Sequence, residues 1–436
     1  MSSNEKKNNI SQNIENTSKS MTSKTKYKIV ETFVGCGGSH LGFSRHNFDT
    51  VFVNDSWSTC LDTLKLNNPE LTEEQIICED INTLCEKNLL KQYKIKKNEL
   101  DVLIGGVVCK GFSLAGVRNP YDIRNYLYIS QLKLVEQFKP KVSIIENVPG
   151  MQTMKILARN NVAPYSKKLS FTIEKSVETI CEEIDKVIEN HKINRGKIIA
   201  INKKLTTDNT EENKNIKNKL EEEKNKLEEL RSTLEMDLDK YKYSVLEDIK
   251  EKYIELGYTV NIQKLKVSNF GGYTNRIRLI IVAVRNDIKK KWEWPEIIND
   301  DDNLLTVKDA FDLLDPEIND PSVDNDNKPM CHKASTVEKF KKITCDKKSD
   351  GFSSRGTSKR LDLNKPAPTL VPGHSSFQIH PTEHRSITVR EGATITGFPI
   401  DFKFCGSHSD RCMQIGNAIP VHLGEALAKS VRNLLD

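Results

Sequence analysis

Short apolar runs that end in glycine or an acid recur along the first 150 residues of the chain. Each run is too short for a helix and rich in Val and Ile, which favours a buried strand. Apolar positions at helical spacing lie between several of the runs, as in 57–66 and 126–138. Strands that alternate with helices form parallel sheets with right-handed crossovers. The pattern predicts an α/β fold with a doubly wound, mostly parallel sheet, whose first strands are 28–33, 50–54, 76–80, 102–104 and 142–146.

The segment from about 166 to 252 differs in composition, since it is rich in Lys, Glu and Asn and contains no proline. Its apolar residues recur at helical spacing on both sides of 206–213. We expect two long helices that turn within this stretch, as a hairpin inserted into the sheet domain. Charge of this kind usually marks a solvated helix face, and we favour that interpretation over a nucleic-acid-binding arm. The sheet resumes with strands predicted at 258–263 and 278–284.

Three further segments accompany the sheet domain, which we place at 27–286. Residues 1–26 are rich in Ser, Asn and Lys without an apolar core, which predicts a disordered polar tail and not a secretory signal. Residues 287–359 show no sustained regular spacing of apolar residues, and their charged residues change from acidic to basic along the segment. We therefore expect a separate, small, loop-rich lobe. Residues 360–436 return to the sheet domain and end in a helix predicted over 421–435.

Charge and cysteine usage narrow the class of protein. The net charge of +5 comes from 66 Lys and Arg against 61 Asp and Glu, a mixed surface that permits nucleic-acid binding without demanding it. The ten cysteines include no Cys-x-x-Cys pair, so we expect neither a disulfide framework nor a metal site. Reduced thiols favour a cytoplasmic location, associated with the nucleoid in a bacterium. No apolar run is long enough to cross a membrane.

One cysteine follows the fourth predicted strand and a pair of glycines, in Gly105-Gly106-Val107-Val108-Cys109. Open α/β sheets bind their ligands beyond the carboxyl ends of the strands, so this thiol is placed where chemistry is usually done. Cys109 is therefore our candidate nucleophile. Taken by itself it is better explained as a small buried hydrophobe, because most free cysteines are buried and inert. The neighbouring motifs decide between the two interpretations.

A glycine turn follows the first predicted strand. The residues Phe33-x-Gly35-x-Gly37-Gly38 precede a helix, where the backbone must turn sharply and approach a ligand. Acids end the next two strands, where Asp55 suits ribose hydroxyls and Asp80 suits an adenine amino group. No Gly-Lys-Ser/Thr follows, which excludes a phosphate-cradling loop. These residues predict an adenosine-containing cofactor, and the alternative is a tight turn with two surface acids.

The fifth predicted strand ends in Glu146, at the same sheet edge as Cys109. A thiolate can add to a heteroaromatic base while a carboxylic acid protonates or hydrogen-bonds a ring nitrogen. Arg276 and Arg278 begin the last predicted strand and offer donors to a carbonyl oxygen or a phosphate. Two arginines, a carboxylate and a thiol at one edge favour an enzyme site over a surface ion pair.

With these motifs the chain resembles the DNA (cytosine-5)-methyltransferases of bacterial restriction-modification systems, which use S-adenosylmethionine. The matching segments follow the family's order and cover nearly everything outside the tail, the insert and the small lobe. The resemblance implies a class I methyltransferase fold, Rossmann-like, that methylates C5 of cytosine in double-stranded DNA. The segments are the Phe-x-Gly-x-Gly-Gly turn, Gly-Gly-x-x-Cys-x-Gly-Phe-Ser, Asp122-x-Arg124-Asn125-x-Leu127, Glu146-Asn-Val, Arg276-x-Arg278, Arg360 with Pro368-Thr369, Ser386 to Glu391 with Gly397-Phe-Pro399, and Gly416-Asn-Ala.

The same resemblance implies roles for individual residues. Cys109 would attack C6 of a flipped-out cytosine, Glu146 would engage N3 and the exocyclic amine, and Arg278, beside Arg276, would hold O2. The lobe 287–359 would be the target-recognition region. Besides the glycine turn, the implied cofactor contacts are Asp55, Ser56, Asp80, Ile81, Gly105, Leu127 and Asn417. The implied DNA contacts are Lys110, Ser113, Arg124, Arg355, Arg360 and Thr369.

The chain departs from the family pattern around the nucleophile. The family has two prolines before the cysteine and a glutamine after it, where this chain has Val107, Val108 and Lys110. Proline fixes φ and lacks an N–H, so valine frees the loop backbone, whereas Lys110 would favour the thiolate. Thr274 also replaces a common glutamine before the arginine pair.

Two other functions stay open at this point. A tRNA cytosine-5 methyltransferase shares the scaffold, but its characteristic Cys-Phe-Thr segment is missing here. A DNA-binding relative with weakened catalysis would explain the valines before Cys109. We also expect a monomer that works beside a cognate restriction endonuclease without direct contact, and an insert that adds a surface for DNA or for a partner protein.

Overall fold

The computed structural model describes residues 26–107, 122–157, 175–205, 210–238, 241–345, 359–370 and 377–436. The predicted tail up to residue 25, the Cys109 loop and the stretch with Arg355 lie outside these residues. Contacts divide the chain into two units. The sheet unit comprises the described parts of 1–107, 133–147 and 257–436, and the insert unit comprises those of 108–132 and 148–256.

The seven predicted strands are present, with ends that differ from the prediction by up to three residues, whereas Lys155–Leu157 and Lys242–Ser244 are short strands that were not predicted. In chain order they are β1 Tyr27–Thr32, β2 Phe48–Asp55, β3 Ile76–Cys78, β4 Val102–Gly106, β5 Val142–Asn147, β6 Lys155–Leu157, β7 Lys242–Ser244, β8 Tyr258–Lys266 and β9 Ile277–Arg285. Seven of them form the sheet of the sheet unit, in the order β3-β2-β1-β4-β5-β9-β8. The first five are parallel neighbours, and β9 is antiparallel to β5 and β8. The doubly wound, mostly parallel sheet is confirmed, and the two late strands make it mixed.

The helices confirm the predicted alternation. The predictions at 57–66 and 126–138 correspond to α2 and α5, and the last helix matches its predicted range at both ends. In chain order the α-helices are α1 Gly38–Ser44, α2 Ser58–Asn67, α3 Ile81–Leu84, α4 Leu89–Gln92, α5 Leu127–Phe138, α6 Lys175–Leu205, α7 Glu211–Leu238, α8 Val245–Glu255, α9 Val307–Phe311, α10 Ala334–Lys341, α11 Val389–Thr396, α12 His408–Asn417 and α13 Val421–Leu435.

The main core lies between the sheet and α13. Ile104 of β4 and Ile144 of β5 are fully or almost fully buried, as strands in the middle of a covered parallel sheet must be. They share one apolar cluster with Ile280 of β9 and with Leu423 and Leu427 of α13. The C-terminal helix therefore covers the strands that carry the predicted site.

A second apolar cluster joins the predicted small lobe to the return segment. Val307 and Ala310 of α9 pack with Ile395 of α11 and Ile415 of α12. Buried ion pairs strengthen this contact, since Arg390 Nε lies 2.7 Å from Asp324 Oδ2 and Arg411 Nη1 lies 2.6 Å from Asp326 Oδ1. The described part of 287–359 is thus held by the residues that follow it, and its boundaries as a domain stay a prediction.

The insert unit consists mainly of the predicted hairpin. Helices α6 and α7 pack along their length, and the four residues between 205 and 210 fall within the predicted turn. His191 Nε2 lies 3.1 Å from Glu228 Oε1, which gives the antiparallel register. Next to the hairpin, β6 and β7 form a two-stranded antiparallel sheet. None of the described helices combines the length and apolar content that a bilayer span requires.

Candidate active site

The glycine turn after β1 has the left-handed backbone that its sequence predicts. Phe33, Gly35 and Gly37 have φ values of 51°, 57° and 95°. The Gly35 N–H donates to Asp55 Oδ2 at 3.0 Å, which ties the turn to the end of β2. A Cβ at Gly35 would meet no atom within 4 Å, so the backbone there is open to a ligand.

Gly38 and Gly42, both in α1, have a packing role. A Cβ at Gly38 would lie 2.1 Å from the Ile419 carbonyl oxygen, just before α13. A Cβ at Gly42, one turn further along α1, would lie 2.5 Å from backbone atoms of Gly424. Helices α1 and α13 therefore approach each other through glycine, and this contact fixes the start of α1 against the C-terminal segment.

Asp55 is a partly buried carboxyl group at the carboxyl end of β2. Burial raises its pKa above the ordinary value, while N–H donors, among them those of Trp57 and Gly35, lower it. Trp57 N–H donates to Oδ1 at 3.0 Å. A carboxylate accepts about four hydrogen bonds, and Trp57, Gly35, Ser56 and Cys60 already supply donors to Asp55, so a ligand hydroxyl would have to share an oxygen with them.

A second acid, Asp80, follows the end of β3, the strand that pairs with β2. Asp80 is exposed and caps α3, with Oδ1 accepting from the Asn82 N–H at 2.7 Å. Asn54 links the two strand ends, because its side chain donates to the carbonyl oxygens of residues 77 and 79. Ser56 is exposed whereas Ile81 is buried. The sequence did not single out Asn54, whose function depends on the pairing of β2 with β3.

Glu146 and Arg278 form a buried ion pair. The register places Gly106 opposite Glu146, and β9 pairs with β5 on its other side. Arg278 Nε lies 2.6 Å from Glu146 Oε1, and the side chains are 8% and 10% exposed, respectively. A Cβ at Gly106 would lie 3.6 Å from both Glu146 Oε2 and the Phe33 carbonyl oxygen. The acid and the glycine turn therefore both lie next to the position that a Cβ of Gly106 would occupy.

The strand end that leads to the nucleophile is anchored next to this acid. Asn147 Nδ2 donates to the Val107 carbonyl oxygen at 3.1 Å, and both residues are buried. This bond fixes the last described residue before the predicted loop. Cys109, Lys110 and Ser113 lie outside the described residues, so their positions stay predictions.

Arg276 contacts the segment that precedes α13. Its Nη1 donates to the Gly416 carbonyl oxygen at 2.7 Å, while its N–H donates to Thr274 Oγ1 at 3.2 Å. Thr274 Oγ1 in turn donates to the Ala367 carbonyl oxygen at 2.9 Å. The buried Arg276 thus holds the backbone beside the exposed Asn417, and its role as a donor to substrate stays a prediction.

The predicted DNA contacts are only partly described. Arg360 is buried, and its guanidinium donates to several backbone carbonyl oxygens, among them those of Phe340 and Ile343 at 2.7 and 2.8 Å. The guanidinium of Arg360 thus joins segments of the protein, and its contact with DNA stays a prediction. Thr369 is half-buried. Arg355 lies outside the described residues.

Two predicted residues belong to the insert unit. Arg124 is exposed, and its Nε donates to Asp122 Oδ1 at 2.8 Å. Leu127 begins α5. Their roles toward DNA and cofactor stay predictions.

Glu31, Ser39 and His40 form a buried polar cluster next to the glycine turn, which was not predicted. Ser39 Oγ donates to Glu31 Oε2 at 2.9 Å, and His40 Nδ1 lies 2.7 Å from Glu31 Oε1. Burial lowers the pKa of His40, but the Glu31 carboxylate more than offsets this and the net pKa is raised. The cluster ties the first turn of α1 to β1. Nothing in the spacing of these residues distinguishes them from ordinary helix positions.

Other thiols near the site are poor nucleophiles. Burial raises the pKa of both Cys36, in the glycine turn, and Cys412, on α12, to about 12. Burial also raises the pKa of Cys60. These thiols stay protonated near neutral pH and do not compete with Cys109. Within the described part of the chain, no group of three or more His, Cys, Asp or Glu is arranged to hold a metal ion.

Comparison with known proteins identifies the family. A family described as C-5 cytosine-specific DNA methylase matches residues 27–244 and 235–433. The type II methyltransferase M.Eco47II of Escherichia coli is 27% identical over 431 residues, which cover 94% of this chain and 80% of the relative. The type II methyltransferase M.DdeI of Desulfomicrobium norvegicum is 26% identical over 415 residues, covering 92% and 88%, respectively.

Two solved structures share the fold. A prophage-encoded E. coli protein described as a DNA modification methyltransferase has a TM-score of 0.59 at 21% identity, over 94% of this chain and 99% of that chain. The S. pombe Dnmt2 methyltransferase has a TM-score of 0.54 at 14% identity, over 94% and 100%. The family match spans the glycine turn, the Glu146 strand, the arginine pair and the C-terminal helix alike. The chain therefore belongs to the C-5 cytosine-specific DNA methylase family and is a DNA (cytosine-5)-methyltransferase.

Proposed function

We propose that this enzyme transfers a methyl group from S-adenosylmethionine to C5 of a cytosine in a specific sequence of double-stranded DNA, with Cys109 as nucleophile. The observation that carries the proposal is the buried pair of Glu146 and Arg278, 2.6 Å apart, beside the glycine turn. An acid held by a guanidinium at the end of a parallel strand suits a substrate that gains electrons on a ring nitrogen and a carbonyl oxygen.

The residues around the glycine turn suit S-adenosylmethionine. Gly35 leaves its backbone open, and Asp55 and Asp80 end neighbouring strands where ribose and adenine would be held. Phe33, which follows β1, and Asn417, at the end of α12, are assigned to the cofactor together with Ser56, Ile81, Gly105 and Leu127. When bound, the cofactor supplies an electrophilic methyl group.

The proposed chemistry begins on a cytosine swung out of the duplex, because C6 cannot be reached inside the stack. The Cys109 thiolate forms a bond to C6. The electron pair of the C5–C6 double bond is displaced through C5 and C4 toward N3. Glu146 hydrogen-bonds or protonates N3 while Arg278 holds O2, which stabilises the charge that develops. C5 would then bond to the methyl carbon as the bond from that carbon to the sulfonium sulfur breaks, and the sulfur would leave with the bonding pair as a neutral thioether. Removal of the C5 proton and cleavage of the S–C6 bond restore the ring and the thiolate.

The hydrogen bonds that Asn147 and Arg276 donate to the backbone support these catalytic roles. Asn147 holds the Val107 carbonyl oxygen, so the start of the nucleophile loop is tied to the strand that carries Glu146. Arg276 holds the Gly416 carbonyl oxygen and positions the turn before Asn417. We assign Arg276 to positioning and reserve contact with the base for Arg278.

The DNA would lie against loops of the catalytic residues and against the target-recognition region 287–359. The proposed DNA contacts from the loops, from this region and from the return segment are Lys110, Ser113, Arg124, Arg355, Arg360 and Thr369. We further propose a monomer in the compartment that holds the cell's DNA, acting beside a cognate restriction endonuclease without contacting it.

Purified protein with labelled S-adenosylmethionine and either duplex DNA or tRNA tests the proposal. We expect label in DNA, at cytosines that bisulfite sequencing then locates. Label in tRNA alone would favour the tRNA enzyme. Binding of DNA without transfer would favour a catalytically weakened relative, and a Val108→Pro variant that restores transfer would identify the loop as the cause.

A further inference from the structure

Charge is distributed unequally along the helical hairpin. We divide it into a turn half, residues 190–205 and 211–226, and an open half, residues 175–189 and 227–238. Residues 190–205 carry five basic and no acidic side chains, and 211–226 carry five of each. The open half carries three basic and nine acidic side chains. The turn half is therefore net +5 and the open half net −6.

The basic side chains of the turn half reach the solvent. Lys192, Arg195, Lys197, Lys203 and Lys204 are all exposed on α6. Between 190 and 205 no acidic residue accompanies them at helical spacing. Lys192 pairs with Glu189 at 3.1 Å, an exposed pair of the kind that contributes little to stability. The five basic side chains of this stretch of α6 thus face the solvent.

The apolar residues of the turn half do not form a docking stripe. Ile193 and Ile199 of α6 and Ile216 of α7 are 48%, 62% and 41% exposed. Ile193 and Ile199 are six positions apart, which places them about 120° apart around the helix. A partner helix or a membrane surface requires apolar residues on one face. The chemistry of this end of the hairpin therefore fits a polyanion and not an apolar partner.

We propose that the turn half of the hairpin binds the phosphate backbone of duplex DNA outside the base pairs of the target sequence. This inference builds on the proposed function, since the enzyme already requires duplex DNA. The 16 basic-rich positions of α6 extend about 24 Å, the rise of about seven base pairs. Exposed Lys and Arg without aromatic side chains between them match a contact with phosphates, which carries no sequence information. The acidic open half repels the backbone and leaves the basic end as the point of contact.

A full-length variant with Arg195→Gln, Lys197→Gln, Lys203→Gln and Lys204→Gln tests this contact. Glutamine keeps helix propensity, so helical circular dichroism and the melting temperature should match those of the unchanged protein. We expect at least tenfold weaker binding to a 40-base-pair duplex at moderate salt. The slope of log K against log salt should fall in magnitude by about 0.9 for each phosphate that the variant no longer neutralises. Methyl transfer to saturating DNA should be unchanged, because these residues lie outside the catalytic set.

The matched control neutralises the same number of exposed charges on the open half of the same helix, as Glu182→Gln, Glu183→Gln, Asp185→Asn and Glu189→Gln. It should bind the duplex as well as or more tightly than the unchanged protein. Equal affinity and equal salt slope for the basic-end variant and the unchanged protein would overturn the inference. A failure of the proposed function is distinguished from this result, because it would appear as absence of methyl transfer in the unchanged protein.

Discussion

Arg278 Nε lies 2.6 Å from Glu146 Oε1, and the two side chains are about nine-tenths buried at the junction of β5 and β9. A carboxylate removed from water in this way needs its partner, since an unpaired buried charge is strongly unfavourable. The pair therefore serves both the fold and the proposed chemistry. The arginine holds the acid in one position, and the acid keeps the guanidinium at the sheet edge.

Replacement of Arg278 by alanine should lower the free energy of unfolding by about 3–5 kcal/mol, because Glu146 would be left buried without its partner. Methyl transfer should fall at least a hundredfold. Arg278→Lys should recover stability better than activity, because lysine keeps the charge but not the planar fork of donors. Chemical denaturation and single-turnover methylation measure the two effects. The exposed pair of Arg45 and Glu425 provides the control, and Arg45→Gln should change stability by less than about 1 kcal/mol. Full activity of Arg278→Ala would contradict the role given to this arginine.

Gly38→Ala should unfold the enzyme or displace α13. Its Cβ would lie 2.1 Å from the Ile419 carbonyl oxygen, a distance that only backbone movement can relieve. Gly196→Ala is a matched substitution in the middle of α6, where a Cβ meets no atom within 4 Å. It should stabilise the helix by up to about 1 kcal/mol. Thermal unfolding compares the two, and a neutral Gly38→Ala would show that the contact between α1 and α13 is looser than described.

Asn147→Ala should impair methyl transfer more than cofactor binding. The substitution removes the donor to the buried Val107 carbonyl oxygen, a loss of about 1–3 kcal/mol, and frees the start of the nucleophile loop. We expect a fall in the rate of transfer at saturating substrates, with the dissociation constant for S-adenosylmethionine changed less than threefold. Rapid-quench kinetics and calorimetry give the two numbers. If the loss appeared only in cofactor affinity, Asn147 would belong to the cofactor site and not to the nucleophile loop.

The pair of His40 and Glu31 predicts a pH dependence of stability. The pKa of His40 is raised in the folded protein, through Glu31 and also Glu70, against an unfolded value near 6.5. Its contribution is fully present below the unfolded pKa and is lost as the pH rises from there through the folded pKa, by at most about 1.4 kcal/mol per pH unit. His40→Gln should remove this part of the pH dependence. Denaturation of both proteins between pH 6 and 9 measures it, and identical pH profiles would show that His40 is neutral in the fold.

The sheet and its order of motifs follow from the sequence because each strand has its own apolar run and its own terminal signal. Val102 to Gly106 illustrates this, since apolar residues predict the strand and glycines predict its end. The same reasoning places Asp55 and Glu146 at strand ends, because parallel strands present their carboxyl ends at one edge. The hairpin is also predicted, because its apolar residues recur at helical spacing.

Long-range partners could not be predicted in this way. Arg360 is a conspicuous basic residue in a loop, and its sequence gives no sign that backbone carbonyl oxygens at 340 and 343 accept its donors. The same holds for Arg276 and Gly416, which are 140 positions apart, and for Asp326 with Arg411. Such pairs depend on how segments pack in three dimensions, and a single sequence contains no periodic signal for them.

The central claim is that the Cys109 sulfur bonds to C6 of the target cytosine. The most direct measurement uses a duplex with 5-fluorocytosine at the methylated position, because fluorine at C5 blocks the elimination that releases the enzyme. With S-adenosylmethionine present, we predict an adduct that survives denaturing electrophoresis, maps to Cys109 by mass spectrometry and is absent from Cys109→Ser. An adduct on another residue, or a Cys109→Ser enzyme that methylates DNA at the full rate, would contradict the account.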